Sequence, residues 1–200
     1  MTEAEARAAL TRALHAPGRA SSDFDLNRDA VLPEGRRLRD AAVLIAVSDT
    51  GGRPEVVLTK RSSRLKHHPG QIAFPGGKVD PGDAGAVGAA LREAEEEIGL
   101  NRAEVEVLGT LAPHETVTGF AVTPVLGWVQ KPFVPLPEAG EVAEVFRVPL
   151  DHVTRAENFL VESRHWQGRR RYYYTVPWGP YYIWGATARI LRALADRMAA

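Results

Sequence analysis

Four glutamates and an arginine stand within six residues, Arg92-Glu93-Ala94-Glu95-Glu96-Glu97, and no other stretch of the chain is as well equipped for chemistry. On a helix turning about 100° per residue, Glu93 and Glu97 lie one turn apart, Glu96 sits roughly 60° to the side of Glu93, and Glu95 points away. Three acids therefore crowd one polar face. Like charges at this spacing cost roughly a few tenths of a kcal/mol each, and acids near a helix C-terminus oppose its dipole. A divalent cation relieves that repulsion, and hard oxygen donors select Mg²⁺ or Mn²⁺. A solvated acidic face is the competing reading, and helix geometry alone leaves it open.

The element that must carry these acids is a helix from about Ala84 to Ile98. Asp83, after the Pro81-Gly82 turn, stands where an N-cap belongs, and Gly99 stands where a left-handed C-cap belongs. Val87, Leu91, Ala94 and Ile98 fall within a narrow arc and form the expected buried face. Upstream, Gly76 and Gly77 let the backbone approach a neighbouring group closely. Two strands precede them, Ala41 to Ser48 and Glu55 to Lys60, joined across Asp49-Thr50-Gly51-Gly52. Between strand and glycines lies a basic run containing Arg61, Arg64, Lys66, His67 and His68, which reads either as a solvated loop or as an anion site.

Gly77, Arg92-Glu93, Glu96-Glu97 and Gly99 resemble the signature of the Nudix hydrolases. There are two departures: Asp83 stands where the pattern has Glu, and eight rather than seven residues separate it from Arg92. Capping is a sufficient role for Asp83. Val57-Leu58-Thr59-Lys60-Arg61-Ser62, then Lys66, Gly70 and Phe74-Pro75-Gly76-Gly77, resemble the additional motif of the coenzyme A pyrophosphatase branch. Here Val57 replaces a Leu and Lys66 an Arg, keeping the charge but losing the bidentate fork. The two motifs join without a gap from Val57 to Leu100.

The resemblance implies a Nudix fold, an α/β/α sandwich with a mixed sheet and a loop-helix-loop that holds metal. It implies Mg²⁺ or Mn²⁺ on Glu93 and Glu97, with Glu96 as a further ligand or the group that orients or deprotonates water. Glu96, Glu93 and Arg92 are then the catalytic set, Arg92 fixing Glu96. Arg61, Arg64 and Lys66 are candidates for gripping the substrate's anionic groups, with Gly76 and Gly77 beneath. The implied reaction cleaves coenzyme A to 4′-phosphopantetheine and 3′,5′-adenosine bisphosphate. The alternatives are another nucleoside diphosphate conjugate, such as ADP-ribose or NADH, and a catalytically silent nucleotide-binding domain; the presence of all three glutamates speaks against the last.

Whole-chain properties narrow the class. With 200 residues, a formal net charge of zero and no cysteine, the chain suits one domain with a substantial core, without disulfides, thiol chemistry or a thiolate metal site. The expected partner is a small molecule, with neither nucleic acid nor membrane favoured. The acidic N-terminus lacks the apolar core of a signal peptide, so the expected location is cytoplasmic. Residues 1–36 read as a helical extension, Thr2 to Leu14, followed by a linker with a Leu32-Pro33-Glu34-Gly35 turn, and residues 37–200 read as the Nudix domain.

Beyond the acidic helix, Glu104 to Leu111 and Phe120 to Val129 read as strands, Val142 to Leu150 as a strand entering a short turn of helix, and a last helix follows Trp184 with Ile190, Leu191 and Leu194 inward. His114 and Glu115 read as exposed, with a general base or extra ligand as the alternative. Arg169-Arg170-Arg171 reads as solvated. The aromatics Tyr172, Tyr173, Tyr174, Trp178, Tyr181, Tyr182 and Trp184 read as strand and core packing, the alternatives being an adenine slot or a homodimer contact.

Overall fold

The computed structural model describes residues 1–27, 29–30, 32, 35–166 and 168–200, with Trp166 described by its backbone alone; Pro33 and Glu34 of the expected turn lie outside the described residues. In chain order the elements are α1 (Glu3–His15), β1 (Ser21–Ser22), β2 (Arg39–Asp49), β3 (Pro54–Arg61), β4 (Ile72–Ala73), β5 (Gly76–Lys78), α2 (Gly85–Ile98), β6 (Val105–Thr110), β7 (His114–Glu115), β8 (Phe120–Val129), β9 (Val142–Pro149), α3 (Leu150–Val153), β10 (Leu160–Trp166), β11 (Arg169–Thr175) and α4 (Gly185–Met198).

Strand β2 is the axis. It runs parallel to β8, from Arg39 opposite Phe120 to Ser48 opposite Val129, and antiparallel to β3 and β5. Among the described residues, β1 to β9 make one mixed sheet, and β10–β11 form a separate two-stranded hairpin. A strand with both faces covered must be apolar throughout, and β2 divides its apolar residues by parity. Ile45 and Val47 join the core under α1, α3 and α4, whereas Ala42, Leu44 and Ala46 join the core under α2. The result is an α/β/α sandwich.

Helix α1 is stitched to this body. Thr2 and Glu5 form a reciprocal capping box, and Ala6, Leu10 and Ala13 are fully buried in the same cluster as Leu126, Leu191 and Leu194. The stretch read from sequence as an extension thus supplies one wall of the main core. Asp49 accepts from the N–H groups of Gly51 and Gly52 in the expected β2–β3 connection.

Helix α2 begins and packs differently from expectation. Its N-cap position is Ala84, with no side-chain cap, because Asp83 turns its carboxylate to Arg92 instead. Ala89, Ala90, Ala94, Glu97 and Ile98 are its buried residues, while Val87 and Leu91 are only partly covered. Alanines let the helix sit close on β2, and β5 brings Gly76 and Gly77 over the same face, so the buried arc is rotated toward Glu97. Gly99 closes the helix at φ 70°, its N–H reaching the carbonyls of Ala94 and Glu95.

Candidate active site

Strand β5 pairs with β2 through Gly77 opposite Ala42 and Gly76 opposite Val43, and this pairing lays the two glycines against the C-terminal half of α2. A side chain at Gly76 would meet backbone, and one at Gly77 would displace the Glu93 carboxylate. A Cβ on Gly76 would stand 2.4 Å from the Ala42 carbonyl oxygen, and one on Gly77 would stand 2.4 Å from Glu93 Oε1. The glycines therefore admit a strand on one side and a carboxylate on the other.

Glu97 is only 5% exposed, and its Oε2 accepts the Gly76 N–H at 3.1 Å. Burial, reinforced by the nearby charges of Glu93 and Glu141, pushes its carboxyl up to about 7, against the opposing pull of the Gly76 hydrogen bond and Arg61. Glu93 is raised for the same leading reason, burial, with Arg92 opposing and Glu96 and Glu141 adding repulsion. Glu96, whose side chain is 59% exposed, stands toward solvent. Glu95 faces away and binds Arg102, as its helix position requires.

Arg92 organises the group with all of its donors. Nε and Nη2 clasp Asp83 at 2.9 and 3.0 Å, Nη1 reaches Glu93 at 3.0 Å and Glu96 at 3.1 Å, and Nη2 also donates to the Lys78 carbonyl at 3.2 Å. The fork on Asp83 holds that carboxyl down to about 2, with the Asp80 N–H assisting. Asp83 is thus the anchor of the arginine and not a helix cap; its extra residue of separation from Arg92 is spanned by the folded-back loop.

Among the described residues, no three carboxylate or imidazole groups converge on one point as a closed ligand cage. The donor set nevertheless suits a hard dication. Glu93 and Glu97 are two oxygen donors crowded by each other and by Glu141, both destabilised as anions, a cost that a bound cation offsets where protonation does not. Glu141, at the entry to β9, was not singled out by sequence because it stands in an unpatterned polar loop.

A cavity of about 830 Å³ opens beside Gly76, Gly77 and Lys78. Arg61 lines it, its Nε buried without a hydrogen-bond partner. Arg64 and Lys66, from the same basic run, are exposed and not on its wall, whereas His67 and His68 are. Tyr172, Tyr173, Tyr174 and Trp184 also line it. His114 departs from expectation: it is fully buried, with Nδ1 2.9 Å from Ser21 Oγ and Nε2 3.3 Å from Asp23, tying β7 to β1 away from the carboxylates. Glu115 is half-buried and paired with Arg36.

The NUDIX domain model matches residues 38–173. NudL of Citrobacter koseri, an uncharacterized Nudix hydrolase, is 42% identical over 174 residues, covering 87% of this chain and 90% of that protein. The NudL of Escherichia coli K12 is 40% identical with the same coverage. Among solved structures, the Nudix hydrolase RenU from M. smegmatis aligns over 68% of this chain and 81% of its own at 27% identity, with a TM-score of 0.49. A domain match of that extent, together with relatives so alike across nearly their whole length, means that this chain belongs to the Nudix hydrolase family.

Proposed function

We propose that the protein hydrolyses the diphosphate linkage of coenzyme A or its derivatives, with Mg²⁺ or Mn²⁺ held by Glu93 and Glu97. The observation that carries this reading is the charge of the cavity beside Gly76 and Gly77, the glycines packed on Glu97 and Glu93. Among the described residues its wall includes Arg39, Arg61, Lys78, Arg164, Arg171 and Arg189 and the carboxylate of Asp23, with Arg171 and Arg189 paired to Asp23 and Asp25. Such a wall matches a substrate with more phosphate than a diphosphate alone, and the Val57 to Gly77 motif points to coenzyme A.

When bound, the cation supplies neutralisation of phosphate charge and a more acidic water. The chain supplies placement. Gly77 leaves room for Glu93, the Gly76 N–H fixes Glu97, and Arg92 holds Glu93 and Glu96 in one register. Glu96, exposed and tethered by a single arginine nitrogen, is the acid placed to orient water and take its proton. Arg61 presents an unpartnered buried N–H to a phosphate oxygen. Water adds to one phosphorus, the P–O–P bond breaks, and the two phosphate monoesters leave as 4′-phosphopantetheine and 3′,5′-adenosine bisphosphate.

The test is product analysis by chromatography and mass spectrometry after incubation with coenzyme A, ADP-ribose and NADH, each with Mg²⁺ or Mn²⁺, beside Glu97→Gln. Metal-dependent release of phosphopantetheine, lost in the variant, is the expected result. Turnover of ADP-ribose or NADH with coenzyme A untouched would sink the substrate assignment.

A further inference from the structure

The β10–β11 hairpin carries an arrangement that hydrolysis at the carboxylates does not explain. Arg164 and Arg171 are direct cross-strand partners, so their side chains leave the hairpin on the same face, and both line the cavity. Like charges in this position repel and destabilise a strand pair. Arg171 keeps Asp23 at 3.6 Å and lies beside the Phe24 ring at 5.8 Å. Arg164 meets no carboxylate among the described residues; its guanidinium lies over the Trp184 ring at 4.4 Å. Stacking of this kind orients the flat face and leaves the N–H edge free for a ligand.

A histidine shares the cavity with this pair. His68 lines the same cavity and has φ 55°, the one positive φ outside glycine among the described residues. A left-handed histidine is held there against its own preference. Loss of hydration lowers its basicity, and Arg61, His67 and Arg164 lower it further against the opposing pull of Asp23. The hairpin itself is fixed, because the buried Asn27 amide bonds the Tyr172 carbonyl at 2.9 Å and N–H at 2.8 Å. A like-charged arginine pair on a cavity wall breaks a local rule of strand pairing, and such violations mark functional sites.

We propose that Arg164 and Arg171, with His68, form a second anion subsite that binds a terminal phosphomonoester of the substrate, apart from the diphosphate at Glu93 and Glu97. Its chemistry rests on this end of the cavity alone; its assignment to the 3′-phosphate of coenzyme A rests on the function proposed above. Arg164 sets specificity and takes no part in bond breaking.

Two measurements test this. In steady-state kinetics with coenzyme A and 3′-dephospho-coenzyme A, the wild type should prefer the phosphorylated substrate, and Arg164→Gln should lower that preference in kcat/KM about tenfold through KM, since a charge-assisted hydrogen bond is lost. Arg164→Lys should restore part of it. An unchanged preference in Arg164→Gln would overturn the subsite. If neither coenzyme is hydrolysed, the proposed reaction fails, and calorimetric binding of adenosine 3′,5′-bisphosphate against adenosine 5′-monophosphate decides the subsite separately. Tighter binding of the bisphosphate that is lost in Arg164→Gln supports it; equal binding of both by the wild type overturns it.

Discussion

Residue by residue, the site is governed by groups that make room or hold others still. Gly77→Ala places a methyl where Glu93 Oε1 lies. The carboxylate is the movable partner, so the fold should survive while Mn²⁺ affinity, read by electron paramagnetic resonance, falls about tenfold or more. Asp83→Asn removes the charge that clasps Arg92. We expect a loss of about ten- to hundredfold in kcat/KM with little change in far-ultraviolet circular dichroism. A helix-cap role would instead show as lost helicity. Glu97 gives a pH signature. Its folded carboxyl titrates near 7, above the unfolded value, so the folded state holds the extra proton and metal-free stability falls as pH rises from about 4.5 through about 7. Glu97→Gln keeps an acceptor for Gly76 without the charge. It should flatten that slope and stabilise the metal-free protein at pH 8 by roughly 2 kcal/mol, while abolishing metal protection. Thermal melts across pH, with chelator and with Mg²⁺, measure both effects; an equally steep slope in the variant would contradict the assignment.

Among the elements, helix α2 shows what sequence can and cannot reveal. Its C-terminus was legible because Gly99 at φ 70° satisfies a local rule. Its N-terminus was misread because Asp83 also satisfies a local rule, yet Arg92, nine residues away, offers a stronger partner than an exposed backbone N–H. The expected buried face was displaced for a similar reason: Val87 and Leu91 are the better hydrophobes, but β5 covers the side where Ala90 and Glu97 lie. His114 looked exposed because nothing near it in sequence announces Ser21 and Asp23, its partners some ninety residues away. Strands β1, β4, β5 and β7, two or three residues each, are too short to carry a period and exist only through pairing. Glu93, Glu96, Glu97 and Arg92 were legible as a group because one helix carries them all. Gly99→Ala tests the local rule: the left-handed cap and the nearby Leu136 side chain should together cost about 1 kcal/mol or more, read by urea denaturation, with the carboxylate geometry kept.

For the molecule as a whole, two cores meet on β2, and α1 closes one of them. Leu10, fully buried beneath that helix, should cost about 2–4 kcal/mol when changed to Ala. Unfolding should remain a single urea transition by fluorescence and circular dichroism; a separate early transition of the N-terminal stretch would show that α1 is an appendage. The hairpin β10–β11 stands outside the nine-stranded sheet, and the Thr175–Trp184 bridge ties its end to the start of α4. This separation has an evolutionary consequence. Changes in the carboxylate helix touch the core, but changes at Arg164 alter a ribbon outside the sheet, so under the proposed subsite recognition can be exchanged while the machinery that cuts is inherited unchanged.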